Sequence, residues 1–125
     1  MLRLSLIIGL GGFIGSISRY WLSLLIDRNI FGAYPYGTFV VNMVGCFFMG
    51  LLYYYSEKQQ LLTHEMRFFL ATGFCGSFTT FSTFSLENNL LLKEGEYSTL
   101  ITYIVLSILL GIGATIAGIW FGKTL

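Results

Sequence analysis

Four long stretches of this chain carry almost no charge, and that pattern limits its possible folds more than any other feature. Residues 4–26 hold one charged side chain, Arg19; Asn29–Ser56 hold none; Phe68–Leu92 hold one, Glu87; Tyr97–Gly122 hold none. A helix needs about 20 mostly apolar residues to cross a hydrocarbon core about 30 Å thick. Each stretch is long enough. Composition agrees, with 55% hydrophobic and 10% charged residues, against roughly 45–50% and about 25% in soluble domains. The expectation is an all-α membrane protein, one domain over residues 1–125, with four transmembrane helices at 4–26, 35–56, 68–92 and 97–122.

Aromatic residues fall where such spans would meet the headgroups. Tyr34 and Tyr36 open the second stretch and Tyr53, Tyr54 and Tyr55 close it, a separation of about 18 residues or roughly 27 Å of helix. Tyr97 and Trp120 bracket the fourth. Pro35 suits a first helical turn, where its missing N–H costs nothing. The connections, 27–34, 57–67 and 93–96, are too short to be domains, so function is expected within the membrane. The opening run after Arg3 imitates a signal peptide but continues past Arg19 and Trp21, beyond an ordinary signal core. It reads as a retained first helix.

Several functions are excluded early. A net charge of +1 with no Lys/Arg cluster offers no field for nucleic acid. No nucleophile with a base, paired carboxylates within one span, or His/Cys metal spacing is present. Cys46 and Cys75 lie in apolar runs and read as small packing residues, and His64 is given no role. Lys and Arg near the span ends number four on the side of the termini (Arg3, Lys58, Arg67, Lys123) and two on the other (Arg28, Lys93). That bias allows either cytoplasmic termini or insertion both ways with an inverted partner. Small residues at Gly11/Gly15, Gly12/Ser16, Ala114/Gly118 and Gly118/Gly122 allow close helix approach. They fit packing within one bundle or, the favoured reading, a dimer seam.

The third stretch contains the most unusual segment, running from Gly73 to Ser85, in which six of the last nine residues bear hydroxyls. Gly73 and Gly76 weaken helix, and Ser and Thr can satisfy backbone groups freed by an unwound turn. Irregular backbone at membrane depth must face protein or a cavity, where its carbonyls and amides suit ions. The competing reading is a continuous helix with Phe74, Phe78, Phe81 and Phe84 as a packing stripe. Asn42, within the second span, needs partners and offers two N–H donors. It is either bundle glue or a ligand. Arg19 and Glu87 are intramembrane charges and hence functional candidates, and Tyr103 places a hydroxyl early in the fourth span.

With those residues assembled, the chain resembles the CrcB/Fluc family of fluoride channels over nearly its whole length. The segments that carry the resemblance are Gly11-Gly12-Phe13-Ile14-Gly15 leading to Arg19-Tyr20, Gly37-Thr38-Phe39-Val40-Val41-Asn42, and Gly73-Phe74-Cys75-Gly76 through Thr80-Phe81-Ser82-Thr83-Phe84-Ser85 to Glu87. The resemblance implies a passive fluoride-selective channel that is an antiparallel dual-topology homodimer in lipid, with two pathways along the subunit interface. It implies a structural, non-transported sodium ion at the dimer centre, held by the backbone carbonyls of Gly76 and Thr79. Phe81 and Phe84 would meet fluoride with their ring edges, Asn42 would donate an amide hydrogen, Ser82 and Thr83 would form a hydroxyl track, and Tyr103 would join the pathway. Arg19 and Glu87 would lie near the vestibule and the pathway's end. Ser77-Phe78 departs from the family's usual small and aliphatic pair without touching main-chain ligands.

Two other classes fit the size. A small dual-topology multidrug exporter would be expected to embed a carboxylate, typically in its first helix, where this chain has Arg19. A noncatalytic membrane subunit would use the third segment only for packing.

Overall fold

The structure is a computed structural model describing all of residues 1–125, and it contains helices and short connections with no strand. Helix α1 is Leu2–Asn29; α2 is Tyr36–Tyr53, prolonged by a wide turn at Tyr54–Lys58. Helix α3 covers 64–78 in three parts: His64–Arg67, the wide-turn stretch Phe68–Cys75, and Gly76–Phe78. Helix α4 is Phe81–Lys93 and α5 is Tyr97–Thr124. Leu2–Asn29, Tyr36–Lys58 and Tyr97–Thr124 are each long and apolar enough to cross a membrane. The remaining apolar stretch is shared between α3 and α4.

The interruption is real, but it is narrower than expected and lies further along the chain. The backbone stays helical through Gly73 and Gly76 and turns extended only at Thr79 (φ −79°, ψ 156°) and Thr80 (φ −148°, ψ 121°). Gly73 serves packing, since a Cβ there would collide with the carbonyl of Ile8 and the Cα of Gly11 in α1. Pro35 likewise stands one residue before α2, as its cap, and not within the first turn.

Lipid tails are as apolar as leucine, so close backbone contact has to hold helices together in a membrane. Side chains added at Gly11 or Gly15 would meet the backbone of Phe69 or Phe74, so α1 lies directly on α3. Gly50 faces the carbonyl of Thr115, Gly118 faces that of Phe47, and Gly122 sits on the Tyr54 ring, joining α2 to α5. The Gly11/Gly15 and Gly118/Gly122 faces, read as a dimer seam, are therefore consumed inside one chain, which is a correction to that expectation. Two helix surfaces without a Cβ can approach until backbones touch, and each of these glycines already has a backbone or ring at that distance.

The chain's ends are tied to known neighbours. Arg3 pairs with Glu65 at 3.0 Å and Arg67 pairs with Glu57, so the start of α1, the end of α2 and the start of α3 share one end of the bundle. The Gly122–Tyr54 contact brings the end of α5 there too. At the opposite end Asp27 touches Gly37, and Thr38 bonds Glu87. Only 16 of 125 residues are buried, and large apolar side chains such as Leu6, Leu10, Phe13, Ile101, Leu109 and Ile116 point outward, as suits a surface bathed in lipid or covered by a partner.

Candidate ion site at the interrupted helix

Asn42 organises the break. Its Nδ2 donates to the carbonyl of Thr80 at 3.0 Å, and its Oδ1 accepts from the Thr80 N–H at 2.8 Å, so one side chain satisfies both polar groups of the most extended residue. This is how unwound backbone survives where water cannot reach it. The same amide retains one N–H after serving Thr80.

Rerouting those amides has a further effect. In a continuous helix the Thr80 N–H would bond to Gly76 and the Thr83 N–H to Thr79. Here Thr80 goes to Asn42, while Thr83 donates to Oγ1 of Thr80 at 3.2 Å. The Gly76 and Thr79 carbonyls thus lose their helical partners. They are the two oxygens expected to hold sodium, and uncharged main-chain oxygens suit a hard cation.

Thr80 is the side-chain cap of α4, a role that arises because its hydroxyl can reach the third residue of the helix. That hydroxyl also donates to Oγ1 of Thr83 at 3.1 Å and lies 3.4 Å from Oγ of Ser82. Ser82 and Thr83, expected as a track, are therefore linked through a residue not singled out in the sequence. A broken helix presents carbonyls at the end of its first half and free amides at the start of its second. The first end favours cations and the second anions.

A cavity of about 360 Å³ opens beside the break, lined by Asn42, Thr79, Thr80, Phe81 and Phe84 together with Met43, Cys46, Ser107 and Thr115. Four of the predicted site residues (Asn42, Thr79, Phe81 and Phe84) thus share one space. The Phe81 and Phe84 ring centroids are 5.7 Å apart, and Phe84 meets Tyr103 edge-on at 4.9 Å and 70°. Phe81 is 78% exposed on the rim. Tyr103 is fully buried behind Phe84, and its hydroxyl has no hydrogen-bond partner. It does not line the cavity.

On the other side of Thr80 lies a cleft of about 180 Å³, bounded by Ser16, Arg19, Ser23, Thr38, Thr80 and Thr83. Arg19 makes no ion pair. It shares the cleft with several hydroxyl residues and no carboxylate, and a cation not sealed in a salt bridge can attract an anion. Glu87 sits apart, where it accepts the Thr38 hydroxyl. Thr38 and Thr80 stand in the sequence only as members of the resembling segments with no role assigned, and Ser107 and Thr115 are not marked there at all. Only Thr80 had a readable signal, a hydroxyl residue directly after a break and three before Thr83, and the others are placed by helix contacts that no local pattern encodes.

Fold and site together define a class: a multi-pass helical membrane protein in which an interrupted helix lays backbone oxygens and amides beside a ring-lined cavity. The family model described as CrcB-like protein, Camphor Resistance (CrcB), matches residues 6–119, and the chain belongs to that family. Curated relatives include proteins named fluoride-specific ion channel FluC from Azobacteroides pseudotrichonymphae (48% identical, covering 94% of each chain) and Oceanobacillus iheyensis (48% identical, 94% of this chain and 90% of the relative). Another from Phocaeicola vulgatus is 43% identical over 94% of this chain and 97% of its own. The family is one of channels, not enzymes, and this chain is a bacterial-type multi-pass membrane protein.

Proposed function

We propose that this chain is a passive, fluoride-selective channel that exports fluoride from the cytoplasm down the membrane potential and so relieves its toxicity. The observation that carries the reading is the diversion of the Thr80 and Thr83 amides, which leaves the Gly76 and Thr79 carbonyls free at a break bordered by Asn42, Phe81 and Phe84. The relatives named fluoride-specific ion channels supply the ion.

Fluoride is small and strongly hydrated, so a narrow path must replace its water with fixed donors. The remaining Asn42 N–H, the first amides of α4, the Thr80–Ser82–Thr83 hydroxyls and the positive ring edges of Phe81 and Phe84 can do this without a full charge that would trap the ion. Arg19 raises the anion concentration in the cleft. Glu87 and Tyr103 stand at the far end of the path.

The working unit we propose is an antiparallel dual-topology homodimer of subunits that each cross the membrane four times, α3 and α4 jointly making the third crossing. Phe81 supports this: a ring on the rim of the pathway, open in one subunit, would be covered by a second copy. A structural sodium ion, held by the Gly76 and Thr79 carbonyls, would take the place of the helical donors those oxygens lack, at the dimer centre.

Purified protein in liposomes loaded with fluoride, with a potential set by a potassium ionophore, is expected to release fluoride to an external electrode. Chloride-loaded liposomes are expected to stay full. Release no faster than from protein-free liposomes rejects the channel, and comparable chloride release rejects its selectivity.

A further inference from the structure

Pro35 occupies the capping position of α2 and has no side-chain acceptor for the unbonded amides of the first turn. The acceptor arrives from α1, where Oδ1 of Asp27 takes the Gly37 N–H at 2.9 Å. On its own helix Asp27 is badly placed, since a carboxylate in the last turn opposes the negative end of the dipole. The positive end of α2 offsets that cost. Gly37 is matched to this contact, because a Cβ there would fall 2.5 and 2.6 Å from the two carboxylate oxygens.

The next residue, Thr38, is buried and donates its hydroxyl to Glu87. Thr38 also borders the Arg19 cleft. One short stretch of α2 therefore receives Asp27 at its amide and passes a hydroxyl to Glu87.

We infer that Asp27 is a positioning residue: by capping α2 across the α1–α2 connection it fixes the Thr38 hydroxyl and, through it, the direction of the Glu87 carboxylate. This inference rests on the proposed placing of Glu87 at the end of the fluoride path. It makes Asp27 and Gly37 a matched pair that acts on conduction without touching the ion.

The test compares fluoride release from liposomes holding wild type, D27N, D27A, G37A, T38V and the D27A/T38V double variant. D27N keeps an amide oxygen as acceptor and is expected within roughly twofold of wild type, whereas D27A and G37A lose one helix cap and are expected to release roughly fivefold more slowly. In the T38V background, D27A is expected to add no further loss. Wild-type rates in D27A and G37A would overturn the inference, as would a D27A loss that multiplies the T38V loss in full, since Asp27 would then act by loosening the fold generally. If D27A does not fold, D27N and G37A carry the comparison, and equal rates in those two overturn it. Amide exchange over residues 36–38, read by mass spectrometry in D27N and G37A, is independent of conduction and is expected to speed up only in G37A. Wild type that releases no fluoride counts against the channel and leaves the cap to be decided by exchange, where indifference to G37A would overturn it.

Discussion

Asn42 is the residue on which the break depends most directly, because it answers both backbone groups of Thr80. Asn42→Ala leaves a buried N–H and a buried C=O without partners, a loss of about 2–4 kcal/mol, measurable as a lower midpoint of unfolding in detergent. Asn42→Asp keeps the acceptor and is expected to fall between. The two phenylalanines separate differently. Phe84 packs edge-on against Tyr103, so Phe84→Ile should cost about 1 kcal/mol of stability, while Phe81, mostly open, should cost less than about 0.5 kcal/mol. Both substitutions are expected to bring fluoride release down to that of empty liposomes while the protein still assembles; wild-type release in both would remove the rings from the pathway. The sequence made these residues visible by type, an amide and two rings in apolar surroundings, but not by partner. That Asn42 spends one N–H on Thr80 is set by how α2 crosses the break, and the role of Asp27 is invisible without the fold because its partner lies ten residues on, past a loop.

The elements were legible from charge and length wherever the helix runs whole, as in α1, α2 and α5. The third stretch was legible only as irregular. Its two glycines suggested unwinding at 73 and 76, whereas the chain unwinds at Thr79–Thr80, because α1 presses on Gly73 and Asn42 competes for the Thr80 amide. Hydrogen-bond competition of that kind depends on a residue from another helix and leaves no local trace. Thr80 is expected to behave as an ordinary cap: Thr80→Ala should cost about 1 kcal/mol and speed amide exchange in the first turn of α4. A larger cost is expected where glycine lets backbones touch. Gly118→Ala would drive a methyl into the Phe47 carbonyl of α2, an overpacking of roughly 1–3 kcal/mol. Gly9→Ala, with nothing within 4 Å, should stay within about 0.5 kcal/mol. The two variants share chemistry and differ only in what the helix faces, so equal midpoints would mean that α2 and α5 do not meet as described.

At the scale of the whole molecule, orientation follows from small charge differences. The bundle end carrying both termini holds Arg3, Lys58, Arg67 and Lys123, and the opposite end holds Arg28 and Lys93. Each juxtamembrane cation biases insertion, and a margin of two is small enough for both orientations to occur. Leu61, exposed in the connection between α2 and α3, provides a site to count them. In intact cells or sealed vesicles, Leu61→Cys is expected to react with a membrane-impermeant maleimide to about half, and to the remainder only after the membrane is permeabilised. The even split follows from the proposed pairing of inverted copies, which would cover the open Phe81 rim. Native Cys46 and Cys75 lie in apolar stretches, and the parent protein measured alongside removes their contribution. Adding lysines beside residue 61 should then force one orientation, and fluoride release should fall with the loss of inverted partners. Release should return when a copy biased the other way is co-expressed. Labelling wholly from one side, with release intact, would show that a single orientation conducts and would detach the channel from inverted pairing.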